Sequence, residues 1–191
     1  AFAALKDDGT GSGDSIVVTW GDSGYGGDSS SVSSDLVGVT AIYSNEGAFA
    51  ALRGNGSVIT WGNVNGGDSS SVSGDLSSGV TTIYSNDFSF AALKYDGSVI
   101  TWGHNSYGGD SSSVSANLSD SVVKIYSSEG AYAALKNDGS VITWGNGQFG
   151  GDSSSVSSDL TTGVQTIYST GYAFAALKDN GSVITWGHNS Y

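Results

Sequence analysis

Ser89-Phe-Ala-Ala-Leu-Lys-Tyr-Asp-Gly-Ser-Val-Ile-Thr-Trp-Gly103 reads as two strands joined by a tight turn, and near-copies of it occur five times in the 191-residue chain. Strand side chains alternate between faces, so Phe90, Ala92 and Lys94 share one side and Ala91 and Leu93 the other. Asp96-Gly97 follows, a pair suited to the positive φ angles of a type I′ hairpin turn. The second strand, Ser98 to Trp102, has the β-branched and aromatic composition of a half-buried pleated surface. Asn55-Gly56, Asp138-Gly139 and Asn180-Gly181 hold the turn position in other copies. No copy carries a sustained 3.6-residue apolar period, so a helix does not compete.

Outward from the hairpin, the copies set a period. Trp20, Trp61, Trp102, Trp144 and Trp186 are separated by 41, 41, 42 and 42 residues, and Tyr43, Tyr84, Tyr126 and Tyr168 by 41, 42 and 42. A repeat of this size belongs to a propeller, a solenoid or an array of small β units. The first four Trp-Gly pairs lead into a short variable loop and then Gly-Gly-Asp-Ser-Ser-Ser-Val-Ser. Leu36, Leu76, Leu118 and Leu160 come next as isolated apolar anchors, before a strand ending in Ile-Tyr. Counting Ser-Val-Ser as a strand makes four strands per unit, which suits a propeller blade, and omitting it makes three. The expected fold is all-β: a β-propeller of 41–42-residue antiparallel repeats in one domain, with five blade-like units of which one is incomplete. The boundaries are a hairpin at 1–21 and repeats at about 26–62, 66–103, 108–145 and 150–187.

The first hairpin differs. Leu5 to Trp20 spans 15 positions where Leu52 to Trp61 spans 9, so its turn is expected to carry a flexible Gly/Ser-rich insert within Gly9–Ser15. The chain opens in mid-strand at Ala1, as expected of a processed chain or a part of a longer one. Five hairpins accompany only four of the segments that run from Gly-Gly-Asp-Ser to Tyr-Ser. The first unit therefore lacks strands, and its exposed edges are templates for strand addition.

Acids outnumber bases 18 to 6, a net charge of −12, which disfavours nucleic acid and anionic membranes and keeps a β-rich protein in solution. No apolar run approaches the length of a membrane-spanning helix. Cysteine and methionine are absent, which removes thiolate chemistry and suits an oxidising, extracellular setting. Proline is absent too, so Gly, Asn, Asp and Ser must build the turns.

The pattern Ala-Ala-Leu-Lys-x-Asp-Gly-Ser-Val-x-Thr-Trp-Gly, then Gly-Gly after a short loop, resembles the repeats of the regulator of chromosome condensation family. The resemblance covers nearly the whole chain and implies a β-propeller. The unit is shorter than the family's usual repeat, and Gly-Gly-Asp-Ser stands where the family has Gly-Gln-Leu-Gly. Phe2, Phe49, Phe90, Tyr132 and Phe174 lie at or beside the family's histidine position. The loops and basic segments behind the nuclear members' GTPase-exchange and chromatin-binding role are missing, so that activity is not carried over. The short repeats look more like those of large secreted or surface-associated bacterial proteins.

No residues assemble a catalytic site. Serines are abundant, yet no Gly-x-Ser-x-Gly elbow occurs with a paired histidine. His104 and His188 are equivalent positions of different repeats. Asp28, Asp68, Asp110 and Asp152 sit in oxygen-rich loops and are the calcium candidates; one carboxylate per loop is few for an ion that takes six to eight oxygens, and an Asx turn is the competing assignment. The regularly placed Trp and Tyr residues are expected as repeat core. The expected function is a non-catalytic structural or interaction module, extracellular or at the cell surface, assembling into filaments or layers through its incomplete blade. Its partners would be other copies or the rest of a longer chain. The alternative is a multivalent module binding glycan or calcium through the repeated Trp-Gly loops.

Overall fold

The computed structural model describes residues 1–7 and 15–188, folded as five antiparallel sheets in chain order. The first has two strands, β1 (Phe2–Asp7) and β2 (Ser15–Trp20). Three strands make each of the others. Sheet 2 is β3 (Val39–Ser44), β4 (Ala48–Arg53) and β5 (Val58–Gly62); sheet 3 is β6 (Val80–Ser85), β7 (Ser89–Lys94) and β8 (Val99–Gly103). Sheet 4 is β9 (Val122–Ser127), β10 (Ala131–Lys136) and β11 (Val141–Gly145), and sheet 5 is β12 (Val164–Ser169), β13 (Ala173–Lys178) and β14 (Val183–Gly187). The expected all-β propeller repeat is present, with one unit incomplete. The lengthened turn expected within Gly9–Ser15 lies, but for Ser15, outside the described residues.

Three strands rather than four make each full unit, because Ser-Ser-Val coils into a 3₁₀ turn, as at Ser30–Val32 and Ser112–Val114. The serines satisfy that turn locally: Ser30 N–H donates to Asp28 Oδ1 at 2.9 Å and Ser33 Oγ to Ser30 O at 3.0 Å. Side-chain bonds of this kind draw the backbone away from a ladder.

The hairpin turn also departs from type I′, which needs two residues with φ above zero. Asp96 is not one of them; among the described residues only Ser121 and glycines have positive φ. Gly97 N–H donates to Lys94 O at 3.0 Å, Lys94 N–H to Ser98 O at 2.9 Å, and Gly97 takes φ +79°. This is the three-residue loop with a glycine bulge. It leaves Asp96 free to accept from Ser98 N and Oγ at 2.9 and 2.6 Å.

The sheets stack face to face, and the two-residue period of the middle strand fills both interfaces. Phe90 and Ala92 face back to sheet 2, where they join Leu52 and Val58, while Ala91 and Leu93 face forward to Tyr132 and Ala134 of sheet 4. The same division joins sheets 1 and 2 through Phe49 and Trp61, and sheets 4 and 5 through Phe174 and Trp186. Four cores thus join five sheets in sequence, and among the described residues none joins the fifth to the first.

Candidate interaction surfaces

One junction is built four times. The aromatic residue at the second position of each middle strand stacks on its cross-strand tryptophan: Phe49 on Trp61 at 5.3 Å, Phe90 on Trp102 at 5.2 Å, Tyr132 on Trp144 at 5.1 Å, Phe174 on Trp186 at 5.4 Å. The indole N–H then reaches back across the junction. Trp61, Trp102, Trp144 and Trp186 donate to the carbonyls of Gly26, Gly66, Gly108 and Gly150 at 3.0–3.1 Å. The acceptor is the first glycine of each Gly-Gly pair, and the next sheet's ring lies against it. A Cβ on Gly108, at φ +95°, would stand 2.7 Å from Tyr132. Only glycine meets both demands, the left-handed backbone and the close approach.

The predicted repeat tryptophans and tyrosines divide by direction. The tryptophans face backward, and Trp61, Trp102, Trp144 and Trp186 are buried. Tyr43, Tyr84 and Tyr126 face forward and pack partly buried into the next junction. The exceptions stand at the two open faces. Trp20 is 50% exposed and its stacking partner Phe2, 5.5 Å away, 62%. At the other end Tyr168 is 63% exposed and Val183 59%. Ile16 and Val18 extend the first face, and Leu177 lies on the second. One open face thus repeats the backward half of the internal junction and the other its forward half.

Asp28, Asp68, Asp110 and Asp152 lie in four separate loops, and each carboxylate accepts the N–H of the serine two residues on at 2.8–2.9 Å. Those bonds hold all four carboxyls below the usual aspartate range. The structure does not bring them together, and among the described residues no three His, Cys, Asp or Glu side chains group as metal ligands. His104 sits edge-on to Tyr107 at 5.0 Å, and His188 edge-on to Tyr172 at 6.5 Å, in different repeats.

Two arrangements escaped the sequence reading. The turns between the first and second strands of each full unit are linked, Glu46 N–H to Asp87 O and Asp87 N–H to Glu129 O at 3.3 Å, then Glu129 N–H to Gly171 O at 3.1 Å. Burial, then Glu46 and Glu129, pushes the Asp87 carboxyl up. The other is a buried polar pair. Ser89 stands where other middle strands open with alanine, and Tyr132 where they carry phenylalanine. Both departures are visible in the repeat alignment, but their contact across a junction is not.

Stacked antiparallel sheets with these Trp-Gly and Gly-Gly junctions make a β-propeller-like repeat fold. Among solved structures, yeast RCC1 (Prp20) bound to Kap60 has a TM-score of 0.53 and 17% identity, covering 80% of this chain and 42% of that one. Prp20p from Saccharomyces cerevisiae, studied for its binding to Gsp1p and histones, has a TM-score of 0.53 and 15% identity, covering 93% and 56%. The chain spans about half the length of these structures, and at such identities the likeness is one of fold. No family profile and no curated protein matches the sequence.

Proposed function

We propose that the protein is a non-catalytic interaction module that binds a second copy of itself, the face of Phe2 and Trp20 docking on the face of Tyr168, Leu177 and Val183. The observation that carries this reading is that these faces are the two halves of a junction the chain already builds four times. Contiguous apolar surface of this kind marks an interaction site. Because the two faces differ, the contact is heterologous and propagates into filaments or layers unless its rotation closes a ring. Adjoining repeats of a longer chain would make the same contacts in cis. We place the module outside the cell or at its surface, a setting supported by the lack of cysteine and methionine.

Light scattering over a range of concentrations tests the proposal. The mass should rise with concentration, and Trp20→Ser or Val183→Asp should each hold the chain as a monomer. Mixed in equal amounts, those two variants should pair, since each keeps one intact face. A monomer at every concentration, or masses unchanged in both variants, overturns the reading.

A further inference from the structure

The residue before the Gly-Gly pair is aromatic in the loops that follow sheets 1, 3 and 4, and those rings pave one end of the stack. Tyr107 packs on Phe88 at 4.5 Å and meets Phe149 at 5.9 Å, and Phe149 stacks on Tyr172 at 5.2 Å. The loop after sheet 2 breaks the row. It is one residue shorter, with Trp61 five residues before Gly66 where Trp102 is six before Gly108, and Asn65 takes the aromatic place. The short loop winds into a single helical turn, Val64–Gly67, that leaves Val64 76% exposed. Where a ring would have sat, a cleft of about 140 Å³ remains between Tyr25 and Phe88, with Gly47 and Gly66 in its lining.

The polar groups of this cleft are unevenly committed. Asn45 Oδ1 is occupied by the N–H groups of Gly47 and Ala48 at 2.9 and 2.8 Å. Its side-chain N–H₂ makes no hydrogen bond among the described residues, whereas the counterpart Asn86 Nδ2 donates to Tyr107 O at 2.7 Å. Glu46 and Asp87 also line the cleft. It therefore offers aromatic walls, one free amide donor and two anionic acceptors. Negative walls repel anions, and carboxylates bind hydroxyl donors through charge-assisted bonds. Tyrosine and phenylalanine take the apolar face of a ring.

We infer that this cleft is a binding site for a single neutral, polyhydroxylated ring, one monosaccharide unit. The C–H face of the sugar packs on Tyr25 or Phe88, its hydroxyls donate to Glu46 and Asp87, and one accepts from Asn45 Nδ2. Asn45, Glu46 and Asp87 also line a wider polar mouth of about 490 Å³, where Ser44, Ser85 and Ser127 end their strands. A longer glycan would leave the cleft through it. The site differs from an even array of loop sites because, of the four loops that end in Gly-Gly, the one after sheet 2 alone has no aromatic residue before the pair. It is separate from the open sheet faces.

Saturation-transfer NMR on the full chain tests it, with the methyl glycosides of glucose, galactose, mannose and N-acetylglucosamine as probes and tetramethylammonium beside them. Transfer to the ring protons of at least one glycoside is expected. Asn65→Phe, which refills the cleft, and Tyr25→Ala, at a half-exposed position, should each weaken binding at least tenfold, about 1.4 kcal/mol. Their melting curves should match the parent's. Trp20→Ser should bind as the parent does, which separates this site from self-association. No transfer from any glycoside, transfer unchanged in both cleft variants, or a response to tetramethylammonium alone overturns the inference.

Discussion

The hydroxyl of Tyr132 donates to the carbonyl of Ser89 at 2.8 Å, across the junction of the third and fourth sheets, and neither residue is exposed. Asn86 N–H donates back to the phenol at 3.1 Å, and Ser89 Oγ also lies 3.1 Å from it. Burial pushes the phenol pKa far up, so the group stays neutral. The other junctions do without this network: Phe90 lies with Ala48 and Phe174 with Ala131. Tyr132→Phe strands buried polar groups and should cost about 1–3 kcal/mol. Tyr132→Phe with Ser89→Ala restores the pairing of the other junctions and should cost less than the sum of the single changes, with a coupling of about 0.5–2 kcal/mol. Urea unfolding of the four proteins measures this, and strict additivity would show that the pair is uncoupled.

Ser121, at φ +64°, occupies the place before the first strand of a unit where Gly38, Gly79 and Gly163 stand in the other repeats. A side chain in the left-handed region costs roughly 1–2 kcal/mol, partly offset by the greater freedom glycine gives the unfolded chain. Ser121→Gly should therefore stabilise the protein by about 0.5–1 kcal/mol. A lower midpoint of unfolding would contradict this.

Gly108 sets the opposite case. Alanine there meets the left-handed penalty and a ring 2.7 Å from its new Cβ. The two costs combine to about 2–4 kcal/mol. Gly74, at φ −62° and ψ −45° with nothing near a new Cβ, is the control. Gly74→Ala should be neutral or stabilise by up to about 1 kcal/mol. Similar losses at both sites would mean that the close approach at Gly108 does not matter.

Acid should unfold the chain through its turns. Ser98 and Ser140 hold the carboxyls of Asp96 and Asp138 below the usual 3.8. A carboxyl depressed in the folded state stabilises fully above its unfolded pKa, and that contribution drains away as pH falls through the folded value. Asn180 makes the same bonds without titrating, to Ser182 N at 2.9 Å and Oγ at 2.7 Å. Asp96→Asn with Asp138→Asn should leave the pH 7 melting temperature nearly unchanged and reduce its fall below pH 4. Asp87, raised by burial, opposes the trend. An unchanged acid limb in the double variant would place acid unfolding elsewhere.

Much of this was legible because the chain says it five times. The Trp spacing gave the repeat, and the alternation in Phe90-Ala-Ala-Leu93 gave two buried faces per strand. Asp-Gly satisfies two loop geometries, so the pair alone does not set the turn type; the choice rests on whether Asp96 keeps a negative φ and caps Ser98. Ser-Val-Ser could be counted as a strand because an isolated valine among serines leaves little periodicity to read. The Tyr132–Ser89 contact and the cleft beside Asn65 appear in the sequence only as departures from the repeat.

Local chemistry thus determined the hairpins, the alternation and the glycine positions, since turn geometry and strand period act over a few residues. The tertiary structure decided what each face meets. Trp20 and Trp61 occur in the same motif, yet one is half exposed and the other buried beneath a carbonyl 35 residues away. Burial is a property of the neighbouring sheet, and the residue's own sequence context does not specify whether that neighbour is there.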